Sequence, residues 1–493
     1  MKKLLAFAAL SVVIVFGFSA FSDEAVTKDD IRALVERLNV LEKANKAQAE
    51  KIKALEEALG KKNSSAIAME EGTSTNDTGR IWTTPQGYKY YLADKAAGIF
   101  EPLSESGLKI TPYGYIAAEA IHVTKGTEID YITDIVRPKG SYGRGHTSCF
   151  TLQDSILGLQ FETPEAIDGW KFTGRAEFDL LGSHANDYGF HWRHLYIDAV
   201  HEESRWSILF GQTWHLWKMV TPGEIDGAWL EHTGHPYRRS PQIRVTKEFD
   251  FETSKLTARA GIVKNGPGMG HDRDGDGNQD NSASGWPLIE GALIYEHDAA
   301  WEDEASGKRW LIGVGGMYGR EKSHNDVSWI GGVATHWDDN DEYESKMLMV
   351  ATKIPVRDFT ITAQLFAGDN LNDIQAGAWQ GIAFYGDGHG REVSTIGGFV
   401  DLNWKINAKW STTIGYGFDD PTDSEARHVY GIAYNDRAYA NVFYRVMDNF
   451  RVGFEYSHLR TKYDGVYGTG AWSGACDGTA SSDRFEFIAL YDF

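Results

Sequence analysis

One run of the chain has the spacing of a metal site. Asp272, Asp274, Asp276 and Asp280 stand at positions one, three, five and nine of a calcium loop, Asn278 adds a further oxygen, and Gly277 supplies the turn at position six. Position twelve is Ala283 where a bidentate Glu belongs, and no helical pattern flanks the run. The spacing fits either a weak Ca2+ site that stiffens a loop or a plain Asp/Gly turn. Nucleophile and base chemistry has no counterpart signature. The histidines are scattered, and there is no Gly-x-Ser-x-Gly, no His-Glu-x-x-His and no Gly-rich phosphate loop after a strand, so no enzyme is expected.

A second kind of chemistry comes from charges at every other residue. In 170–180, Trp170, Phe172, Gly174, Ala176, Phe178 and Leu180 alternate with Lys171, Thr173, Arg175, Glu177 and Asp179. Successive side chains of a strand point to opposite faces. One face is therefore apolar and the other almost wholly charged, which suits a wall between lipid and a water-filled interior. The same parity puts Arg244 with Gln242 and Thr246, Arg259 with Lys255 and Thr257, Arg445 with Asn441, and Arg451 with Glu455 on the water side. The expected lining is thus Arg175, Glu177, Arg244, Arg259, Arg445, Arg451 and Glu455. Arginine dominates it, and the acid of the chain is expected in loops, turns and the N-terminal helix.

These side chains need strands to hold them. The last residues put Phe485, Phe487, Ala489, Tyr491 and Phe493 on one face and Arg484, Glu486, Ile488, Leu490 and Asp492 on the other. Comparable segments of about ten residues recur at 112–123, 155–163, 170–181, 191–200, 205–214, 242–251, 255–263, 286–297, 308–320, 343–355, 359–368, 392–405, 409–418, 437–446, 450–462 and 484–493. Short turns and long loops join them alternately. The expected fold is all-β, a transmembrane antiparallel barrel of about sixteen strands with both ends on one side. Residues 427–434 are assigned to a long external loop, because one more strand would break the parity.

Ahead of the barrel, 1–22 reads as a signal peptide, with Lys2 and Lys3, an apolar run, and Ala20 and Ser22 before the cut. Residues 23–62 read as a short α-helical coiled coil. Ile31, Leu38, Asn45, Ile52 and Leu59 recur at one heptad position and Leu34, Leu41, Gln48 and Leu55 at the other. A lone amphipathic helix is the alternative, and two or three strands both remain open. Residues 63–106 form a linker and 107–493 the barrel. The formal charge is −21, or −23 once Lys2 and Lys3 leave with the signal, a balance that repels nucleic acid. No later run of about 18 apolar residues offers a membrane helix.

Several motifs resemble porins of the DcaP-like group, trimeric outer-membrane channels with an N-terminal coiled coil. They are Ser155-Ile156-Leu157-Gly158-Leu159, Arg193-His194-Leu195-Tyr196-Ile197, Gly211-Gln212-Thr213-Trp214, Ser240-Pro241-Gln242-Ile243-Arg244, and Ala440-Asn441-Val442-Phe443-Tyr444 leading through Met447-Asp448-Asn449 to Gly453-Phe454-Glu455-Tyr456. The resemblance implies a homotrimer in outer-membrane lipid and a terminal Phe read by the barrel-assembly machinery. It implies a water-filled diffusion channel for small polar solutes, with no required cofactor and a periplasmic helix, while the arginine-rich lining adds an expected preference for anionic solutes, dicarboxylates among them. It also implies that 215–239 folds inward and narrows the channel, where Glu224 and Asp226 opposite Arg238 and Arg239 would set a transverse field. Between 285 and 368 no motif matches. The alternative function is a structural anchor whose helix links barrel and periplasm, but its heptads reach only about 45 Å, short for a spacer.

Two cysteines remain. Cys149 is expected just before the second strand and Cys476 in the loop before the last. In a closed barrel both lie over one sector of the rim, so they are either a disulfide formed on export or two unpaired thiols.

Overall fold

The computed structural model describes residues 81–83, 89–91, 108–127, 134–138, 145–163, 167–182, 189–225, 227–265, 286–299, 308–322, 327–330, 333–336, 342–384, 390–421, 431–464, 466–467, 474–475 and 478–493. The expected signal peptide and coiled coil lie outside the described residues. So do Asp226, Cys476 and the whole Asp272–Asp280 run. Within the expected linker, Ile81–Thr83 and Lys89–Tyr91 pair as a short antiparallel ladder.

The strands are β1 (Lys109–Val123), β2 (Thr147–Thr151 continued by Ile156–Glu162), β3 (Trp170–Asp179), β4 (His191–His201), β5 (Trp206–Trp214), β6 (Arg239–Asp250), β7 (Ser254–Val263) and β8 (Leu288–Asp298). They continue as β9 (Arg309–Lys322), β10 (Glu342–Val356), β11 (Phe359–Asp369), β12 (Ser394–Lys405), β13 (Trp410–Pro421), β14 (Ile432–Met447), β15 (Phe450–Tyr463) and β16 (Gly478–Asp492). Each pairs antiparallel with the next, and β16 returns to β1, closing a 16-stranded barrel. The seam runs from Arg484 opposite Val123 to Asp492 opposite Tyr115. Phe493 and Gly114 then exchange both backbone hydrogen bonds, at 3.2 and 3.0 Å. Closure leaves no unpaired edge.

Each of the sixteen expected strands is present, with small shifts. Cys149 lies inside β2, opposite Ile121, and not ahead of it. Residues 432–434, expected in a loop, open β14 and carry a register shift between Ile432 and Tyr434. β2 is broken at Leu152–Ser155. There the Ser155 hydroxyl substitutes for the ladder, accepting the Ala117 N–H at 3.0 Å.

Burial runs opposite to that of a water-soluble protein. Outward positions are apolar and exposed, as at Ile197, Phe210, Leu348, Leu365, Ile414 and Phe487, while inward positions are polar and buried, as at Glu177, Asp179, Glu290, Asp401, Glu455 and Glu486. A polar side chain turned inward avoids desolvation only with partners or water around it, so this arrangement needs lipid outside and a wet or hydrogen-bonded interior.

Three connections fold into the barrel. Residues 215–238, hereafter L3, leave β5 and rejoin β6. Residues 370–381 follow β11, and 134–138 follow β1. Leu216 and Trp217 of L3 pack with Leu371, Ile374 and Ala376 against Val263, Leu288, Met317, Met347, Met349 and Phe366 of the wall. Val220 and Leu230 meet Phe399 and Tyr439, and Ile225 reaches Ala117, Ile488 and Leu490. L3 therefore crosses the lumen. Ile135 and Val136 pack with Ala378 and the wall residues Ile432, Leu459 and Tyr463.

Candidate functional site

Wall carboxylates hold L3 through its backbone. Glu290 of β8 accepts the Leu216 N–H at 2.9 Å, the Trp217 indole N–H at 3.0 Å and His215 Nδ1 at 2.5 Å, and His215 Nε2 meets Ser240 Oγ at 2.9 Å. Asp401 of β12 accepts the Gly223 N–H at 2.8 Å, and Glu455 of β15 accepts that of Ile225 at 2.7 Å. The same device holds 370–381, where Asp419 of β13 accepts Gly377 N–H at 2.8 Å. The two loops also brace each other. His232 N–H donates to Gln375 O, Tyr237 N–H to Ile374 O, and Trp379 N–H to His232 Nδ1 at 3.3 Å. Gly234, at φ 119°, lies where a Cβ would strike the Gly398 carbonyl, so only glycine lets L3 approach the wall backbone so closely.

Left-handed backbone gathers in these loops, at Trp229, Leu230, His232, Asn370, Gln375, Ala378 and Trp379. Such conformations cost about 1–3 kcal/mol each in non-glycine residues and persist where surrounding contacts over-determine them. His235 is part of that support. Its ring nitrogens face Trp229 O at 2.8 Å and Val220 O at 3.1 Å. Burial, and then Lys218, push it down to about 3, so it stays neutral and donates to one carbonyl, the nearer being Trp229 O.

The β3–β7 wall carries cations. Arg193 of β4 donates from Nε to Glu177 at 2.8 Å and from Nη1 to Asp179 at 2.8 Å, while Glu177 also accepts the Tyr113 hydroxyl at 2.7 Å. Arg175 lies 3.5 Å from Glu177 and 5.0 Å from the Tyr113 ring centre. Arg239 rests 4.4 Å from the Trp214 ring centre. Arg259 reaches Leu216 O at 3.4 Å. Among the described residues, Lys218, Arg239, Arg244 and Arg259 have no carboxylate within ion-pairing distance, and Arg239 Nη1 and Arg244 Nε are buried without an acceptor. Trp214, Trp229 and Tyr237 form a triangle with ring centres 5.5–5.9 Å apart, and Lys218, Arg239 and Arg193 gather around it.

The remaining expected residues are dispersed. Arg445 and Arg451 are cross-strand partners next to the β14–β15 turn, with Arg445 exposed and Arg451 3.8 Å from Asp492. Glu224 is a correction. Its side chain is fully buried, accepts the Leu230 N–H and lies 3.6 Å from Arg437 of β14, so it anchors L3 and does not face Arg238 and Arg239 across a passage. Arg238 donates to Asp373 O in 370–381, and Arg239 belongs to β6 and not to the loop. The expectation that arginine dominates the inner wall is also corrected, because Glu119, Glu290, Asp401, Asp419 and Glu486 face inward too. Among the described residues no group of His, Cys, Asp and Glu is arranged to hold a metal ion.

Sequence reasoning missed the 370–381 segment, Glu290 and Asp419. Arg193 opens the Arg193–Ile197 motif. Its signal was present, since it shares the inward parity of β4 and follows two inward acids on β3.

No family model and no curated protein matches the chain. Among solved structures, the outer membrane channel DcaP of Acinetobacter baumannii aligns with TM-score 0.58 and 19% identity over 78% of this chain and 97% of that one. The barrel has that channel's fold. OmpF of Salmonella typhi aligns at TM-score 0.46 with 12% identity over 79% and 99% of the two chains, and OprB of Pseudomonas putida at 0.46 with 8% over 82% and 99%.

Proposed function

We propose that the protein is an outer-membrane porin, a water-filled diffusion channel for small polar solutes that favours anions, dicarboxylates among them. The observation that carries this reading is the set of inward cations that lack an acid within ion-pairing distance among the described residues, Lys218, Arg239, Arg244 and Arg259, inside a closed barrel with an apolar outer wall. Rings of unpaired charge select ions of opposite sign in a pore. Glu290, Asp401, Asp419 and Glu455 hold backbone amides of L3 and 370–381 and are almost wholly removed from water, so they weigh less on a passing solute than the half-buried cations do.

The test is single-channel recording of the purified protein in a planar bilayer. Discrete conductance steps are expected, with a reversal potential in a salt gradient that favours chloride over potassium and a partial block by succinate. A bilayer that stays closed at every voltage would overturn the reading. Assembly as a homotrimer is part of the proposal, and mass measurement in detergent checks it. Deleting 23–62 should weaken the trimer and leave folded barrels, since the barrel closes without those residues.

A further inference from the structure

Lys218 is held by L3 between two indoles. Its Nζ lies 4.5 Å from the Trp214 ring centre and 5.3 Å from that of Trp229, and its hydrogen bond goes to Thr221 Oγ1 at 2.6 Å. No carboxylate pairs with it among the described residues.

The groups around it are mostly cationic or neutral. From β6 comes Arg239, pressed to the same Trp214 ring. From β4 comes Arg193, 5.8 Å from the Trp229 ring centre and tied back to Glu177 and Asp179 of β3, together with His194, whose Nδ1 meets Thr213 Oγ1 at 2.9 Å. From L3 itself come His235 and Tyr237, the tyrosine donating to Glu231 at 3.2 Å. Glu177 and Asp179 are taken up by Arg193, so the two unpaired cations nearest the ring triangle are Lys218 and Arg239.

These two differ in kind. A guanidinium keeps its proton at any accessible pH, whereas an ammonium is released when burial and like charge press on it. Burial, then Arg239 and Arg193, draw Lys218 down to about 7. The two indole faces work the other way, since an aromatic ring favours the charged form. Loss of the Lys218 proton to water therefore falls within reach of neutral pH.

We propose that Lys218 is a specificity-determining, titratable cation of the constriction. Protonated, it forms with Arg239 a two-cation seat for a passing carboxylate against the Trp214 ring. Deprotonated, it leaves Arg239 alone and a weaker preference for anions. The inference rests on the channel reading above and adds to it a dependence on pH.

The experiment is the anion-to-cation permeability ratio from reversal potentials at low salt, between pH 6 and pH 9, for the wild type, Lys218→Arg and Lys218→Met. The wild-type ratio is expected to fall roughly threefold as pH rises, which is the size of losing one of a few nearby charges in a wet pore. Lys218→Arg should hold a high, flat ratio and Lys218→Met a low, flat one. A flat wild-type profile would overturn the proposal. So would a slope that survives in Lys218→Arg, which would place the titration on another group. The same recordings separate the two readings. No open channel at any pH sinks the porin itself, and an open channel with a pH-independent ratio sinks only the role of Lys218.

Discussion

The β3–β7 sector of the inner wall and the β8–β15 sector both carry charge, yet they use it differently. On β8, β12, β13 and β15 the acids Glu290, Asp401, Asp419 and Glu455 each receive at least one backbone N–H from an inward loop and are almost wholly removed from water. On β6 and β7, Arg239, Arg244 and Arg259 are half-buried and have no acid within ion-pairing distance among the described residues. One sector uses its charge to hold polypeptide, and the other, on the channel reading, would leave its charge for a solute. A count of lining residues would rate the two sectors as cancelling. On the channel reading, what a solute would meet is the charge still reachable beside L3, and at Lys218 and Arg239 that is positive.

The difference is open to attack from either side. The largest effect is expected from Glu290→Ala, which strips the acceptor from Leu216, Trp217 and His215 at once. Each buried donor left unmet costs about 1–3 kcal/mol, enough to free the root of L3. Single-channel current should grow and flicker, and protease should cut within 215–238. A quiet channel of wild-type size would show that apolar packing alone holds the loop.

Arg239→Glu should come next, with little loss of thermal stability but a several-fold swing of the permeability ratio towards cations at low salt. That swing should shrink in 1 M salt, where charges are screened beyond about 3 Å. Asp401→Asn is its counterpart in the anchoring sector. The amide oxygen can still accept the Gly223 N–H, so the ratio should move by less than a third of the Arg239→Glu shift. Equal shifts in the two variants would erase the distinction between the sectors. The smallest effect belongs to Arg445→Glu, at the exposed end of β14, where a shift comparable to that of Arg239→Glu would move the selective region to the barrel mouth.

The barrel was legible in the sequence because period-two alternation is a local property and charges on one face leave few alternatives. The site was legible only in part. Glu290 and Glu296 share one strand and one face, yet Glu290 holds the root of L3 and Glu296 pairs with Lys255 at 3.1 Å. Depth in the barrel separates them, and depth depends on where a distant loop comes to rest. Glu224 was misread for the same reason, since nothing near it in sequence announces Arg437. The 370–381 segment has no alternation to betray it, and its apolar residues Leu371, Ile374 and Ala376 find their purpose only against Leu216 and Trp217 of the other loop.

L3 departs and returns on adjoining rungs of one ladder, with Thr213 opposite Ser240 and Trp214 opposite Arg239. The excursion between them adds no rung to the hoop and removes none. Filter and wall are thus separable inheritances. If L3 is the filter of a channel, a different 215–238 sequence would retune what passes, provided it keeps an amide where Glu290, Asp401 and Glu455 wait, while the sixteen strands go on solving the unrelated problem of living in lipid.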